Sequence, residues 1–128
     1  MTMGRSSSPT HQKGAAAEEA AALFLRHNGL VCVAQNFNTR LGEIDLIMLE
    51  KSTLVFIEVR QRKANSMVSA LESVTKAKQR KIARAAAIFL QQSKQYQNFN
   101  CRFDVIACTA LENGKHEFDW IEGAFYAG

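Results

Sequence analysis

The sequence predicts an α/β domain with a small mixed sheet flanked by helices, in the order helix, three strands, helix, and one or two strands. Three observations predict it. Two segments rich in helix formers stand near the start and the middle of the chain. Four apolar runs of strand length surround the second of them. A three-residue polar break between two of these runs is short enough for a hairpin.

The first helix is read over Gly14 to Asn28, GAAAEEAAALFLRHN, where Leu23, Phe24 and the alanines supply an apolar stripe. Gly29 stands where a C-terminal stop belongs. Residues 1–13 hold Ser, Pro and Gly with little to bury and are read as a disordered arm, leaving 14–128 as one domain. The arm has no apolar core of the secretory type.

Strands follow over Leu30 to Phe37, Leu41 to Leu49 and Thr53 to Arg62, with Glu50-Lys51-Ser52 as the hairpin turn. A polar loop runs from Lys63 to about Ser73. Thr75 is placed to cap a helix over Lys76 to Gln92, whose apolar face is Ile82, Ala85, Ala86 and Phe89. Arg102 to Thr109 reads as a fourth strand and Phe118 to Ile121 as a short fifth.

Composition narrows the function classes. No apolar run reaches the roughly eighteen residues that a membrane helix needs. Three cysteines without CxxC spacing argue against a disulfide framework or a zinc site and fit reduced thiols in the cytoplasm. The net charge is +4, but Arg60, Arg62, Lys63, Lys76, Lys78, Arg80, Lys81 and Arg84 fall in one segment whose single acid is Glu72. Such a run is either a solvated helix face or a surface for a polyanion, and nucleic acid is the commonest polyanion.

The acids inside the strands carry the chemistry. Residues two apart on a strand share a face, so Glu43 goes with Asp45, and Glu58 with Arg60 and Arg62. A hairpin turning at Lys51 brings these faces together, so that Glu43, Asp45, Glu58 and Arg60 are expected on one side of the sheet. Buried carboxylates repel one another unless a cation compensates. A divalent ion with oxygen ligands does so and can activate water at a phosphodiester. Pairing of Glu58 with Arg60 or Arg62, with Glu43 solvated at an edge, explains the same residues without a metal.

The motifs GEIDLI, VFIEVRQR, SVTKAKQRKI and RFDVIA, in this order and spacing, closely resemble the YraN family of uncharacterised bacterial proteins, over about Lys13 to Phe125. That family is similar to the PD-(D/E)xK nucleases, especially Holliday junction resolvases and tRNA-intron endonuclease-like folds. The resemblance implies a restriction-endonuclease-like sheet with Mg²⁺ or Mn²⁺ at Asp45 and Glu58, the Val59 carbonyl as a further ligand, and Glu18 from the first helix. Taken alone, Glu18 and its neighbour Glu19 on an alanine-rich helix are more often solvent-facing. The resemblance also implies DNA as partner and a symmetric homodimer.

The triplet departs from the superfamily pattern, because Arg60 stands where a lysine is usual. A guanidinium can hold a phosphate through two hydrogen bonds but cannot act as a base. Lys63 and Gln61 are candidate substitutes, although alternation turns Gln61 away from Glu58. Asp104 is read as a structural acid, with a supporting role beside the metal as the other option, and Gln79 as a weak candidate for a substrate contact.

Three functions are expected in this order. The first is a metal-dependent endonuclease on structured or branched DNA, with Asp45 and Glu58 at the metal, Glu18 or Glu43 orienting water, and Arg60 on the phosphate. The second is a nucleic-acid-binding protein that keeps the fold without cutting. The third is a module whose basic helix docks on an acidic protein.

Overall fold

The computed structural model describes residues 9–127, with side chains from residue 14 onward. Helix α1 spans Pro9–His27, then strands β1 Val31–Asn38, β2 Glu43–Glu50 and β3 Thr53–Arg62, helix α2 Lys76–Gln92, a single 3-10 turn at Lys94–Tyr96, and strands β4 Asn100–Ala110 and β5 His116–Phe125. The element order is the expected one. The arm read over 1–13 lies outside the described residues as far as residue 8, and the helical backbone begins at Pro9. The fifth strand is ten residues long rather than four. It extends past Trp120 because a register shift opposite Phe103–Val105, with Gly123 at φ +60°, carries the chain back to pair Phe125 with Phe103.

The five strands lie in the sequential order β1-β2-β3-β4-β5. Only β3 and β4 are parallel, and α2 makes the crossover between them. α1 covers one face through Ala17, Ala21, Ala22 and Leu25, which pack on Leu46, Met48, Val55 and Ile57. α2 covers the other through Ile82, Ala85, Ala86 and Phe89, which pack on Ile47, Leu54, Phe56 and Phe103. The rings of Phe37 and Phe56 meet Phe89 edge-on at 5.3 and 6.2 Å, and Tyr96 stacks on it at 6.0 Å. Each such pair adds about 0.5–1.5 kcal/mol beyond its buried area. Among the described residues, no helix is long and apolar enough to cross a membrane.

Both helices begin or end as their sequences require. α1 stops at Gly29, φ +94°, where the Gly29 N–H donates to Arg26 O and the Leu30 N–H to Leu25 O. These two bonds satisfy carbonyls of the last turn, and Leu25 and Leu30 bury together beneath them. Thr75 caps α2 by accepting from the Lys78 N–H at 3.1 Å.

The β1–β2 loop fixes where α2 sits. Thr39 Oγ1 donates to Gly42 O at 2.7 Å and accepts from the N–H groups of Leu41 and Gly42, which closes the loop on itself. Gly42 then lies so close to the backbone of Lys81 that an added Cβ would overlap its carbonyl. The absence of a side chain at Gly42 therefore sets the spacing between α2 and the start of β2. Gly42→Ala must push α2 outward and should lower stability by about 1–3 kcal/mol, read from the midpoint of a denaturant titration with the slope unchanged.

A candidate metal and phosphate site at the fork of β2 and β3

β2 and β3 pair from Glu50↔Thr53 to Leu46↔Ile57 and then separate. Asp45 lies at this fork. Its Oδ2 accepts from the Val59 N–H at 2.8 Å, taking the position that a β2 carbonyl would hold in a continued ladder. The Val59 carbonyl faces the same edge, since both peptide groups of a strand residue point to one neighbour.

The alternation of β2 breaks at Asp45. Ile44 packs on the α2 side of the sheet and Leu46 on the α1 side, although they are two residues apart. β1 breaks opposite to it: the pairs Gln35↔Leu46 and Phe37↔Ile44 bracket Asn36, whose φ is +53°. A left-handed backbone is uncommon for a residue with a side chain, and asparagine tolerates it better than most. The expectation that Glu43, Asp45, Glu58 and Arg60 share one face is therefore corrected. Asp45 stands in the gap between strands and meets carboxylates from both sides of the sheet.

From the α1 side comes Glu18, close to Asp45 and Asn36. Burial, and then the charge of Asp45, push its carboxyl up to about 7. Glu18 is half-buried on the side of α1 near Asp45. From the α2 side comes Glu58, 3% exposed. Its Oε2 takes Arg60 Nη1 at 3.2 Å and Lys78 Nζ at 3.8 Å. Its Oε1 is buried and has no hydrogen-bond partner among the described residues, and its carboxyl group lies close to that of Asp45. Burial, followed by the Asp45 charge, pushes Glu58 up to about 8, against the opposing pull of Lys78 and Arg60.

The pairing of Glu58 with Arg60, expected as the explanation without a metal, is thus present, but it satisfies one oxygen only. Two carboxyl groups this close need a shared proton or a cation between them. Among the described residues, no group of three or more acid, histidine or cysteine side chains is placed to hold a metal ion. The arrangement is open: Asp45 and Glu58 with the Val59 carbonyl alongside, and Glu18 on Asp45 from the other face. That suits Mg²⁺, which commonly takes one or two carboxylates and fills its remaining positions with water and phosphate.

The bases divide among three places. Lys78 and Lys81 share a cleft of about 510 Å³ with Arg40 and Glu43, at the mouth of the fork. Arg60 also donates from Nε to Ser73 Oγ at 3.2 Å, and Ser73 in turn donates to Ala70 O at 2.6 Å, so the loop after β3 holds the guanidinium in place. Arg62 pairs with Asp119 at 3.3 Å, and Lys63 lines the clefts at the end of β3. Lys76 and Arg80 lie on another flank of α2 with Gln79, and Arg84 is exposed on its outer surface. Gln79 donates to Val74 O at 3.1 Å, tying the first turn of α2 to the loop before it.

Asp104 is fully buried and fully engaged. It accepts from Arg102 Nε and Nη2, from Trp120 Nε1 and from the Gly123 N–H, at 2.9–3.0 Å. It clamps the irregularity of β5 and is a structural acid, as the sequence reading favoured. Asn36, Ser73 and the direct approach of Lys78 to Glu58 were not read from the sequence. Each depends on a contact between elements far apart in the chain.

A sequence model described as uncharacterised protein family UPF0102 matches residues 17–108. A UPF0102 protein of Ectopseudomonas mendocina is 45% identical over 89% of this chain and 94% of its own length. Those of Nitrosococcus oceani and Psychrobacter cryohalolentis are 44% and 43% identical over 91% and 92% of the chain, and over 94% and 82% of their own lengths.

The raised carboxyl of Glu58 has a consequence for stability. Its value in the fold lies above the ordinary 4.5, so the folded state holds a proton that the unfolded state releases. That stabilisation is complete below about pH 4.5 and is lost as pH rises through about 8. In metal-free buffer the melting temperature should fall by several degrees between pH 6 and pH 9. Glu58→Gln should flatten this decline, and a parallel decline in the variant would refute the assignment.

Proposed function

Given that the chain belongs to the uncharacterised protein family UPF0102, the YraN family, we propose that it is a metal-dependent endonuclease that hydrolyses phosphodiesters of DNA, branched DNA included. The observation that carries the reading is the buried Oε1 of Glu58, without a hydrogen-bond partner among the described residues, on a carboxyl group whose proton affinity the charge of Asp45 raises. Structural acids do not look like this: Asp104 in the same sheet accepts four hydrogen bonds.

Asp45, Glu58 and the Val59 carbonyl are the groups that would hold Mg²⁺ or Mn²⁺. Such an ion, when bound, neutralises charge on a phosphoryl oxygen and acidifies a water. Glu18, with a carboxyl near neutrality, can accept a proton from a water at working pH. Glu43, at the mouth of the fork, can orient that water or repel a misplaced phosphate.

Lys78 resolves the departure at Arg60. The triplet lacks a lysine, but α2 brings one to within 3.8 Å of the same Glu58 oxygen that Arg60 contacts. Its ammonium is a compact donor on a flexible stem and can follow charge as it builds on a phosphate. Arg60 is held at both Nη1 and Nε, which suits a fixed positive wall. Lys81 and Arg40 extend the positive mouth outward, and their contribution to affinity should fall with salt.

One observation favours a second reading, a binding protein that does not cut. Arg60 gives two of its five donors to Glu58 and Ser73, so the triplet cation is already partly engaged inside the protein. Labelled duplex, flap, single-stranded and four-way-junction DNA with Mg²⁺ or Mn²⁺ separates the two. Metal-dependent cutting is expected, with Asp45→Asn and Glu58→Gln losing it and Lys78→Met slowing it about 10²–10³-fold while binding remains. Tight binding without cutting, unchanged in Asp45→Asn, would establish the second reading.

A further inference from the structure

On the flank of α2 away from the fork, Leu71, Lys76, Gln79, Arg80, Ala124, Phe125, Tyr126 and Ala127 enclose a groove of about 650 Å³. No acid lines it. Lys76 and Arg80 are four residues apart on one helix face. Among the described residues, neither forms an ion pair, whereas Arg60, Arg62, Lys78 and Arg102 all have carboxylate partners. Their charge is uncompensated by any ion pair among the described residues.

The opposite wall is apolar and ends in an exposed ring. Phe125 is buried and stacks on Phe103 at 5.1 Å, which anchors the backbone at the end of β5. Tyr126, the next residue, is 91% exposed, and Leu71 across from it is 39% exposed. Two free cations along one wall and an aromatic face on the other match the two parts of a nucleotide, a phosphate and a base. A paired base in a duplex has no free face to offer such a ring, but an unpaired base does.

We propose that this groove binds unpaired nucleotides, with phosphates on Lys76 and Arg80 and a base stacked on Tyr126. The proposal rests on the nucleic-acid function proposed above and adds a substrate class to it. α2 then has two working flanks: Lys78 and Lys81 face the fork, and Lys76 and Arg80 face the groove. A single strand leaving a duplex or branch crosses from one to the other over the width of one helix, about 10–12 Å. Stacking is tolerant of base identity, so the groove selects strand state and not sequence.

The test is fluorescence anisotropy in EDTA, with labelled oligothymidylate and blunt duplex as probes. The proteins are wild type, Tyr126→Ala, Tyr126→Phe, and Lys76→Glu with Arg80→Glu. Tyr126→Ala is expected to weaken binding of oligothymidylate about tenfold and of blunt duplex less than twofold, with Tyr126→Phe close to wild type. The double charge reversal should weaken both probes and reduce the salt dependence. Equal affinity of wild type and Tyr126→Ala for oligothymidylate overturns the proposal. So does preferential binding of polyglutamate that the charge reversal abolishes, which would mark the groove as a site for an acidic protein. Because no metal is present, a Tyr126-dependent affinity in a protein that never cuts would sustain the groove while removing the endonuclease reading. Cutting by a protein whose affinity ignores Tyr126 would do the reverse.

Discussion

The bond from the Val59 N–H to the Asp45 carboxylate shapes the fork between β2 and β3, on which the geometry of the candidate site depends. Two antiparallel strands that separate leave peptide groups unpaired, and unpaired groups inside a protein carry a large desolvation cost. Asp45 meets that requirement on one side with a side chain in place of a backbone carbonyl. In doing so it keeps the fork open and leaves a carboxylate within it. The kink at Asn36 and the reversal of alternation between Ile44 and Leu46 follow from the same substitution. The fork is a built feature, flanked by well-packed core on both faces.

Charge around the fork is arranged so that neither sign is complete. Asp45 lies close enough to Glu18 and to Glu58 for its charge to raise the proton affinity of each. Arg60 and Lys78 offset this from the α2 side but reach only Oε2 of Glu58. Replacing the whole cluster with apolar residues could make the domain more stable, as it often does for buried ion pairs. Retaining such a cluster makes sense where the fold must present charge to something outside itself.

The two buried acids of the sheet make the contrast plain. Asp104 sits at the β4–β5 irregularity with every nearby donor turned toward it. Glu58 sits one strand away with an oxygen that no donor reaches. Both interrupt apolar strands, and in the sequence they look alike. Donor supply separates them. Arg102, Trp120 and Gly123 come to Asp104 from its own strand and the next, while Arg60 and Lys78 reach only the other oxygen of Glu58.

Local chemistry wrote much of the fold into the sequence. α2 occupies Lys76–Gln92 and β3 Thr53–Arg62, both as read, because Thr75 caps the one and the Lys51-Ser52 turn bounds the other. The acids at 43, 45 and 58 and the basic segment were also legible, since charge inside an apolar run is visible without coordinates. The length of β5 was not, because its second half pairs only after Asp104 pulls the Gly123 N–H inward. Alternation, which assumes an unbroken strand, put Asp45 on a face, and the splay of β2 from β3 put it in a gap. Lys78 read as one of many helix bases, yet only the crossing of α2 over the sheet decides that it, and not Lys76 or Arg80, reaches Glu58. Sequence alone determined which residues carry charge and which elements they ride on. Tertiary structure decided which charges meet, because that depends on strand separation and helix placement, and both are set by contacts between residues far apart in the chain.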